Sequence, residues 1–155
     1  MSEKIDGVII VKKDGGMTSR DVVNTLVKTF NTKKIGHTGT LDPMATGVLV
    51  VTIGKYTKLS ELLTSTYKEY IAEMKLGVTT DTYDVEGKVI KTNVVNLKEE
   101  EIKNVIYSFK GEYEQVVPIY SSVKVNGKKL YEYARNNEEV DLPSRMVTIK
   151  EIELL

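Results

Sequence analysis

The chain has no cysteine and no tryptophan, only one histidine, and no apolar run long enough to cross a membrane. Without cysteine there is neither a disulfide framework nor a thiolate metal site. The sequence also lacks the short apolar region that is typical of a secretion signal. These absences together favour a cytoplasmic protein.

The sequence has 155 residues, which suits one domain, and its 41% apolar content is sufficient for a core. The formal net charge is zero but is unevenly distributed. Residues 1–60 hold nine Lys/Arg and five Asp/Glu, residues 61–115 hold seven and eleven, and residues 116–155 hold six of each. Since phosphate contacts depend on local positive charge, the basic first third can bind nucleic acid. An ordinary solvated face explains the same lysines equally well.

The most informative stretch covers residues 33–54, KKIGHTGTLDPMATGVLVVTIG. Its glycines and its proline are spaced so closely that a regular helix is excluded over the first part. The last part, GVLVVTI, is an apolar run typical of a buried strand. We therefore predict a fixed loop that leads into a core strand.

Two side chains of this loop can carry chemistry: His37, the only histidine, and Asp42, the only acid between Asp21 and Glu61. In one interpretation Asp42 and Pro43 form an ordinary turn, with the carboxylate accepting backbone N–H bonds. Residue types alone favour this turn. In the other, the carboxylate, charged at neutral pH, acts as a nucleophile or a base. A third interpretation takes HTGT as a loop that binds a nucleotide phosphate. It is the weakest, because the segment lacks the glycine spacing and the lysine of a P-loop.

The segment GHTGTLDPMATGVL resembles the catalytic-loop signature of the TruB family, pseudouridine synthases that modify the T-loop uridine of tRNA. Further stretches match this family in the same order, so that the resemblance covers essentially the whole chain. They are GVIIVKKDGGMTS from Gly7, KEY from Lys68, GVTTDTYDVEG from Gly77, PIYSSVK from Pro118 and GKKLYEYAR from Gly127. A long motif accompanied by further matching stretches in the same order is far more specific than a single glycine motif.

The resemblance implies roles for particular residues. Asp42 matches the catalytic aspartate, and Tyr70 matches the tyrosine that stacks on the extruded uracil. His37 would contact the displaced nucleotide or fill its place. The other implied substrate-binding residues are Lys13, Thr38, Gly39 and Lys124. Where the family has a Lys-Pro pair, this chain has Lys13 followed by Asp14.

The implied reaction turns uridine into its C-glycoside, an isomerisation in tRNA processing that needs no redox step, no cofactor and no metal. The base must first leave the stack, because the glycosidic bond cannot be reached inside it. The implied partner is the T-arm stem-loop of tRNA, with no membrane involved. Asp81, Asp84 and Glu86 lack the ligand spacing of a calcium loop, so we interpret them as part of a solvated loop.

Proteins of this family continue with a strand carrying K-G-x-Y-[IV]-R, whose arginine pairs with the catalytic aspartate, and usually with a small RNA-binding domain. Neither occurs in these 155 residues. The resemblance therefore implies that residues 1–155 are a partial catalytic domain. Such a chain is either part of an active pseudouridine synthase or a catalytically inactive RNA-binding fragment. An incomplete sheet would expose an edge, and exposed edges promote self-association.

For the fold we expect the α+β class: a mixed, largely antiparallel sheet with two or three helices packed on it. Strands are predicted at residues 7–11, 47–53 and 67–77. A helix is predicted over residues 18–30, with Thr18 and Asp21 in capping-box spacing. A second helix is expected to begin at Asn96 as N-cap.

Residues 126–135 allow two interpretations. Asn126-Gly127 is a strong hairpin signal. The basic residues that follow alternate with tyrosines, a pattern that can track a phosphate backbone and stack bases. Leu130, Tyr131 and Ala134 are also spaced as the buried face of a short helix.

Overall fold

The computed structural model describes residues 5–64 and 67–155 and confirms the α+β class. The chain forms two compact units, Met1–Ile71 and Ala72–Leu155. All strand pairs in the described residues are antiparallel, and they belong to four small sheets rather than to the single mixed sheet expected. Across the same residues, every helix is too short or too polar to cross a membrane.

The first unit contains a three-stranded sheet in the order β1-β3-β2, formed by β1 (Gly7–Lys13), β2 (Ile35–His37) and β3 (Gly47–Ile53). The apolar run predicted as a buried strand is β3, and both of its ends are confirmed. It occupies the centre of the sheet because it pairs on both sides, with Ile53 opposite Gly7 and opposite Ile35.

Helix α1 (Ser19–Thr29) packs on one face of this sheet, as its apolar spacing predicted. Its buried Val22 contacts Leu49 and Val51 of β3. Partly buried apolar side chains complete this core: Val11, Met17, Leu26, Ile35 and Leu41. Because Leu41 immediately precedes Asp42, the core anchors the chain next to that aspartate.

A 3-10 helix (Gly54–Leu59) and α2 (Ser60–Thr64) follow β3. The strand predicted over residues 67–77 is wrong: residues 67–75 form neither helix nor strand, and residues 76–77 form a turn. The alternation was present, but a strand also needs a neighbouring backbone to satisfy its N–H and C=O groups. Here Ile71 and Met74 are 84% and 66% exposed, and no described strand pairs with them.

The second unit is built from short elements: β4 (Val78–Thr80), β5 (Val89–Thr92), α3 (Glu99–Tyr107), β6 (Gly111–Val116), β7 (Lys124–Val125), β8 (Lys128–Lys129), α4 (Leu130–Arg135) and β9 (Ser144–Ile149). Three two-stranded sheets result, β4-β5, β6-β9 and β7-β8.

Local predictions in this unit have different outcomes. The Asn126-Gly127 hairpin is confirmed, and both residues have positive φ angles, 52° and 81°, as a type I′ turn requires. The N-cap predicted at Asn96 is wrong by two residues. Lys98 takes that position, and its N–H donates to the Glu101 carboxylate at 2.8 Å. The short helix at residues 130–135 is confirmed, with Leu130 fully buried.

The start of α1 is a reciprocal capping box. Thr18 Oγ1 accepts from the Asp21 N–H at 3.1 Å, and the Asp21 carboxylate accepts from the Thr18 N–H at 2.8 Å. The hydrogen bonds from the Thr18 hydroxyl and the Thr18 N–H lower the pKa of Asp21. This pair therefore stabilises the fold above the usual pKa of an aspartate, and its contribution is lost as pH falls through the lowered folded value.

We predict that Thr18→Ala lowers the free energy of unfolding by about 1 kcal/mol at neutral pH, because the first turn of α1 loses its cap. The difference from the parent chain should shrink in acid, where Asp21 protonates and the box weakens in both proteins. Urea denaturation at neutral pH and at pH values below the usual aspartate range measures this. Thr25→Ala, on the same helix, is the control, and a loss independent of pH would contradict the assignment.

Candidate active-site loop

The loop between β2 and β3 is fixed to the sheet where it begins. The N–H of Thr38 donates to the Val50 carbonyl at 3.0 Å, which continues the β2–β3 pairing by one residue. The Thr64 hydroxyl donates to the Thr38 carbonyl at 2.6 Å. The glycine-rich stretch predicted to be loop thus contains a short strand, β2, and the irregular part begins only after His37.

His37 turns its ring back onto the loop. Its Nδ1 lies 2.6 Å from the carbonyl oxygen of Gly39. Because a carbonyl only accepts, the proton of this bond is on Nδ1, and in the neutral ring Nε2 is left as an acceptor. Gly39 also lies near the K-x-Y segment, since Nζ of Lys68 is 4.0 Å from the place a Cβ on Gly39 would take.

Asp42 is exposed in the middle of the loop. Its backbone carbonyl accepts from the Ala45 N–H at 3.1 Å, so a turn does form there. The carboxylate, however, accepts no hydrogen bond and makes no ion pair with any residue in 5–64 or 67–155. The interpretation in which this carboxylate stabilises the turn is therefore wrong for the described residues, and the side chain is available for another role.

The backbone after Asp42 is held from the turn that follows β1. The carbonyl of Pro43 accepts from the N–H of Gly16 at 2.8 Å and from Nζ of Lys13 at 3.2 Å. Lys13 is fully buried and donates also to the carbonyls of Asp14 and Met17, at 2.9 and 2.7 Å. Three acceptors satisfy the three donors of its ammonium group.

This arrangement changes the interpretation of Lys13. The sequence predicted a contact with substrate, whereas the structure places the ammonium inside the protein, against the loop backbone. Burial of a cation is costly unless it is hydrogen-bonded, and the three carbonyls offset that cost here. Because the ammonium is buried and fully bonded, it is not available to a substrate at the surface. Asp14 replaces the proline of the family pattern, but it bonds Lys13 through its backbone carbonyl, a group that proline also has.

The backbone before Asp42 is held by a residue that sequence reasoning missed. The Ser19 hydroxyl accepts from the Leu41 N–H at 2.9 Å and donates to the Leu41 carbonyl at 3.2 Å. Ser19 is only 2% exposed. The sequence gives no useful signal for it, since a serine in the first turn of a helix is common and its partner lies 22 residues away.

Of the remaining predicted site residues, Thr38 is buried, so its side chain does not meet the predicted contact with substrate, whereas Tyr70 and Lys124 lie at the surface. Tyr70 is 72% exposed. In the second unit, Lys124 is exposed and begins β7. Three cations of the same unit lie over tyrosine rings: Lys128 over Tyr133 at 4.6 Å, and Lys129 and Arg135 over Tyr131, both at 5.3 Å.

The acids of the turn between β4 and β5 have backbone partners. Asp81 Oδ1 accepts from the Lys88 N–H at 2.8 Å. Asp84 Oδ1 accepts from the Thr82 hydroxyl at 2.7 Å and from the Glu86 N–H at 2.9 Å. These bonds stabilise the turn itself.

Comparisons with known proteins agree with the motifs. A sequence model described as the N-terminal domain of TruB family pseudouridylate synthases matches residues 27–155. The tRNA pseudouridine synthase B of Clostridium kluyveri is 47% identical over 151 residues, which cover 97% of this chain and 52% of that protein. The Bacillus subtilis protein of the same name is 49% identical over 152 residues, which cover 97% and 49%. The chain thus spans about half the length of these curated relatives.

A solved structure is also similar. A chain in the crystal structure of a Cbf5-Nop10-Gar1 complex superposes with a TM-score of 0.52 at 29% sequence identity, covering 76% of this chain and 31% of that one. Since the family match extends over well more than half of the sequence and includes the loop around Asp42, the chain belongs to the TruB family of pseudouridylate synthases.

Proposed function

We propose that this chain carries the catalytic loop of a tRNA pseudouridine synthase, which converts the T-loop uridine of tRNA into pseudouridine through Asp42. The main support for the proposal is the state of Asp42 and of the backbone around it. The Asp42 carboxylate is exposed and has no partner in the described residues, whereas the backbone on both sides of it is hydrogen-bonded to α1 and to the turn after β1. A fixed backbone that presents an unused carboxylate suits a reactive group better than a structural one.

The chemistry requires such a carboxylate. The N1–C1′ bond of uridine breaks, the uracil turns, and C5 bonds to C1′. A carboxylate can attack the ribose, attack the ring, or assist proton removal from the sugar. In each case it must reach the nucleotide without first breaking hydrogen bonds to the protein, and Asp42 meets that condition in the described structure.

The nucleotide must also leave its stack before it reacts. The exposed ring of Tyr70 is suited to stack on the extruded uracil, and its segment lies beside Gly39 through Lys68. His37 and Gly39 are partly exposed and form the part of the loop that would face the displaced nucleotide, whereas the buried Thr38 would act through its backbone bonds to the sheet. The net charge of +4 over residues 1–60 supports contacts with the phosphate backbone of the T arm.

A second candidate function is RNA binding without turnover. In the described residues no lysine or arginine pairs with Asp42. The resemblance assigns that pairing to an arginine in a K-G-x-Y-[IV]-R segment, which these 155 residues do not contain. We also propose that copies of the chain associate through the last strand, β9, which pairs only with β6 in the described residues and so leaves one edge unpaired.

The catalytic role of Asp42 is tested by Asp42→Asn in a polypeptide that continues through the K-G-x-Y-[IV]-R segment. The substitution keeps the size and removes the charge, so pseudouridine formation should vanish while affinity for T-arm RNA changes little. Asp14→Asn removes a charge from a neighbouring exposed position and should leave turnover intact. Substantial pseudouridine formation by Asp42→Asn would end the assignment.

The role of Tyr70 is tested by comparing two substitutions. Tyr70→Phe keeps the ring and should retain binding of T-arm RNA, whereas Tyr70→Ala should weaken binding by about 1 to 3 kcal/mol, the energy of base–aromatic stacking. A binding titration measures both affinities. Tyr83→Ala removes another well-exposed tyrosine, outside the loop, and should have no effect. Equal affinities of the Phe and Ala variants would place the Tyr70 ring away from the base.

The 155-residue chain itself should show no measurable isomerase activity, because no cation of residues 5–64 or 67–155 pairs with Asp42 to hold it in a water-excluded site. Weak RNA binding that decreases steeply with salt should remain, since it depends on the basic first third. Release of tritium from C5-labelled uridine in T-arm RNA reports the reaction directly. Turnover close to that of a full-length relative would show that Asp42 finds a counter-charge within these residues.

A further inference from the structure

The peptide group that precedes Asp42 is held by one side chain. The Ser19 hydroxyl accepts from the Leu41 N–H at 2.9 Å and donates to the Leu41 carbonyl at 3.2 Å. A hydroxyl has one donor and two acceptor sites, so a single serine can satisfy both backbone groups of one residue. In the described residues, neither group of Leu41 has another hydrogen-bond partner.

Ser19 is itself firmly placed. It is the first residue of α1, directly after the N-cap Thr18, and it is 2% exposed. The two bonds therefore connect a fixed helix end to the loop. The Leu41 side chain packs against the core formed by Val22, Leu49 and Val51, which restricts this residue from its other side.

The position of Asp42 depends on these bonds because its own side chain contributes none. With no partner for the carboxylate in the described residues, the direction of its Cα–Cβ bond is set by the backbone alone. The Pro43 side of that backbone is held by Gly16 and Lys13, and the Leu41 side by Ser19. Misplacement of a reacting group by about 1 Å can cost about a hundredfold in rate.

We propose that Ser19 is a positioning residue, which fixes the Leu41 peptide and so aims the Asp42 carboxylate at the nucleotide. Its importance for turnover rests on the proposed synthase function, whereas its effect on the loop backbone does not. Ser19→Ala removes both hydrogen bonds of the Leu41 backbone and leaves those of the Pro43 carbonyl in place. Ser19→Thr keeps the hydroxyl and should restore the bonds.

The effect on the backbone is measured by NMR on the 155-residue chain. In Ser19→Ala, exchange of the Leu41 amide proton should be at least about tenfold faster, since the N–H loses its acceptor. Residual dipolar couplings of the N–H and Cα–Hα bonds of Asp42 should change at the same time. Thr25→Ala is the matched control: it removes a side-chain hydrogen bond to the Asp21 carbonyl on the same helix without touching Ser19 or Leu41, and it should alter neither measurement.

Ser19→Thr should return both measurements to those of the parent chain. If the extra methyl group prevents folding, Ser19→Cys keeps the volume with a much weaker hydrogen-bonding group and should behave like Ser19→Ala. The proposal is overturned if Ser19→Ala leaves the Leu41 exchange rate and the Asp42 couplings unchanged, or if Thr25→Ala changes them as much.

The effect on turnover is measured in a polypeptide that continues through the K-G-x-Y-[IV]-R segment. Ser19→Ala should lower kcat for T-arm RNA by about 10- to 100-fold and leave KM nearly unchanged, because orientation is lost and binding is not. Thr25→Ala should keep its kcat. An unchanged kcat in Ser19→Ala refutes the positioning role. If the unsubstituted polypeptide shows no turnover, the proposed function fails, and the Leu41 exchange and Asp42 couplings still decide whether Ser19 fixes the loop.

Discussion

The buried ammonium group of Lys13 is the constraint on which the rest of the first unit depends. A buried cation must be hydrogen-bonded, and here all three of its partners are backbone carbonyls. Two belong to the turn that leads from β1 into α1, and the third belongs to Pro43. The end of a strand, the start of a helix and the candidate active-site loop can therefore only be correct together.

The features predicted best from the sequence are those that depend on neighbouring residues. Both ends of β3 follow from its apolar run and bounding glycines, and the capping box of α1 follows from the spacing of Thr18 and Asp21. The hairpin at Asn126-Gly127 follows from two residues that tolerate positive φ angles. In each case the structural cause lies within a few positions along the chain.

Predictions failed where the cause was distant in sequence. The alternation over residues 70–76 was real, but no described strand provides a partner there. The family resemblance implied that Lys13 binds substrate, and three carbonyls that only the folded chain assembles hold its ammonium inside the protein instead. Ser19 was missed for the same reason, since Leu41 is brought to it by the packing of α1 on the sheet. For the site, the sequence located the loop and the structure showed what holds it.

The attachments of the candidate loop are mostly to main-chain groups: the N–H and carbonyl of Leu41 and the carbonyl of Pro43. Every amino acid has such a carbonyl, and every one except proline has the N–H. Exposed loop side chains such as Thr40 and Met44 therefore do little to maintain the loop's shape. Replacing these side chains should change the exposed surface of the loop while the backbone that carries Asp42 keeps its course. A fixed backbone and replaceable exposed side chains are thus compatible in one short segment.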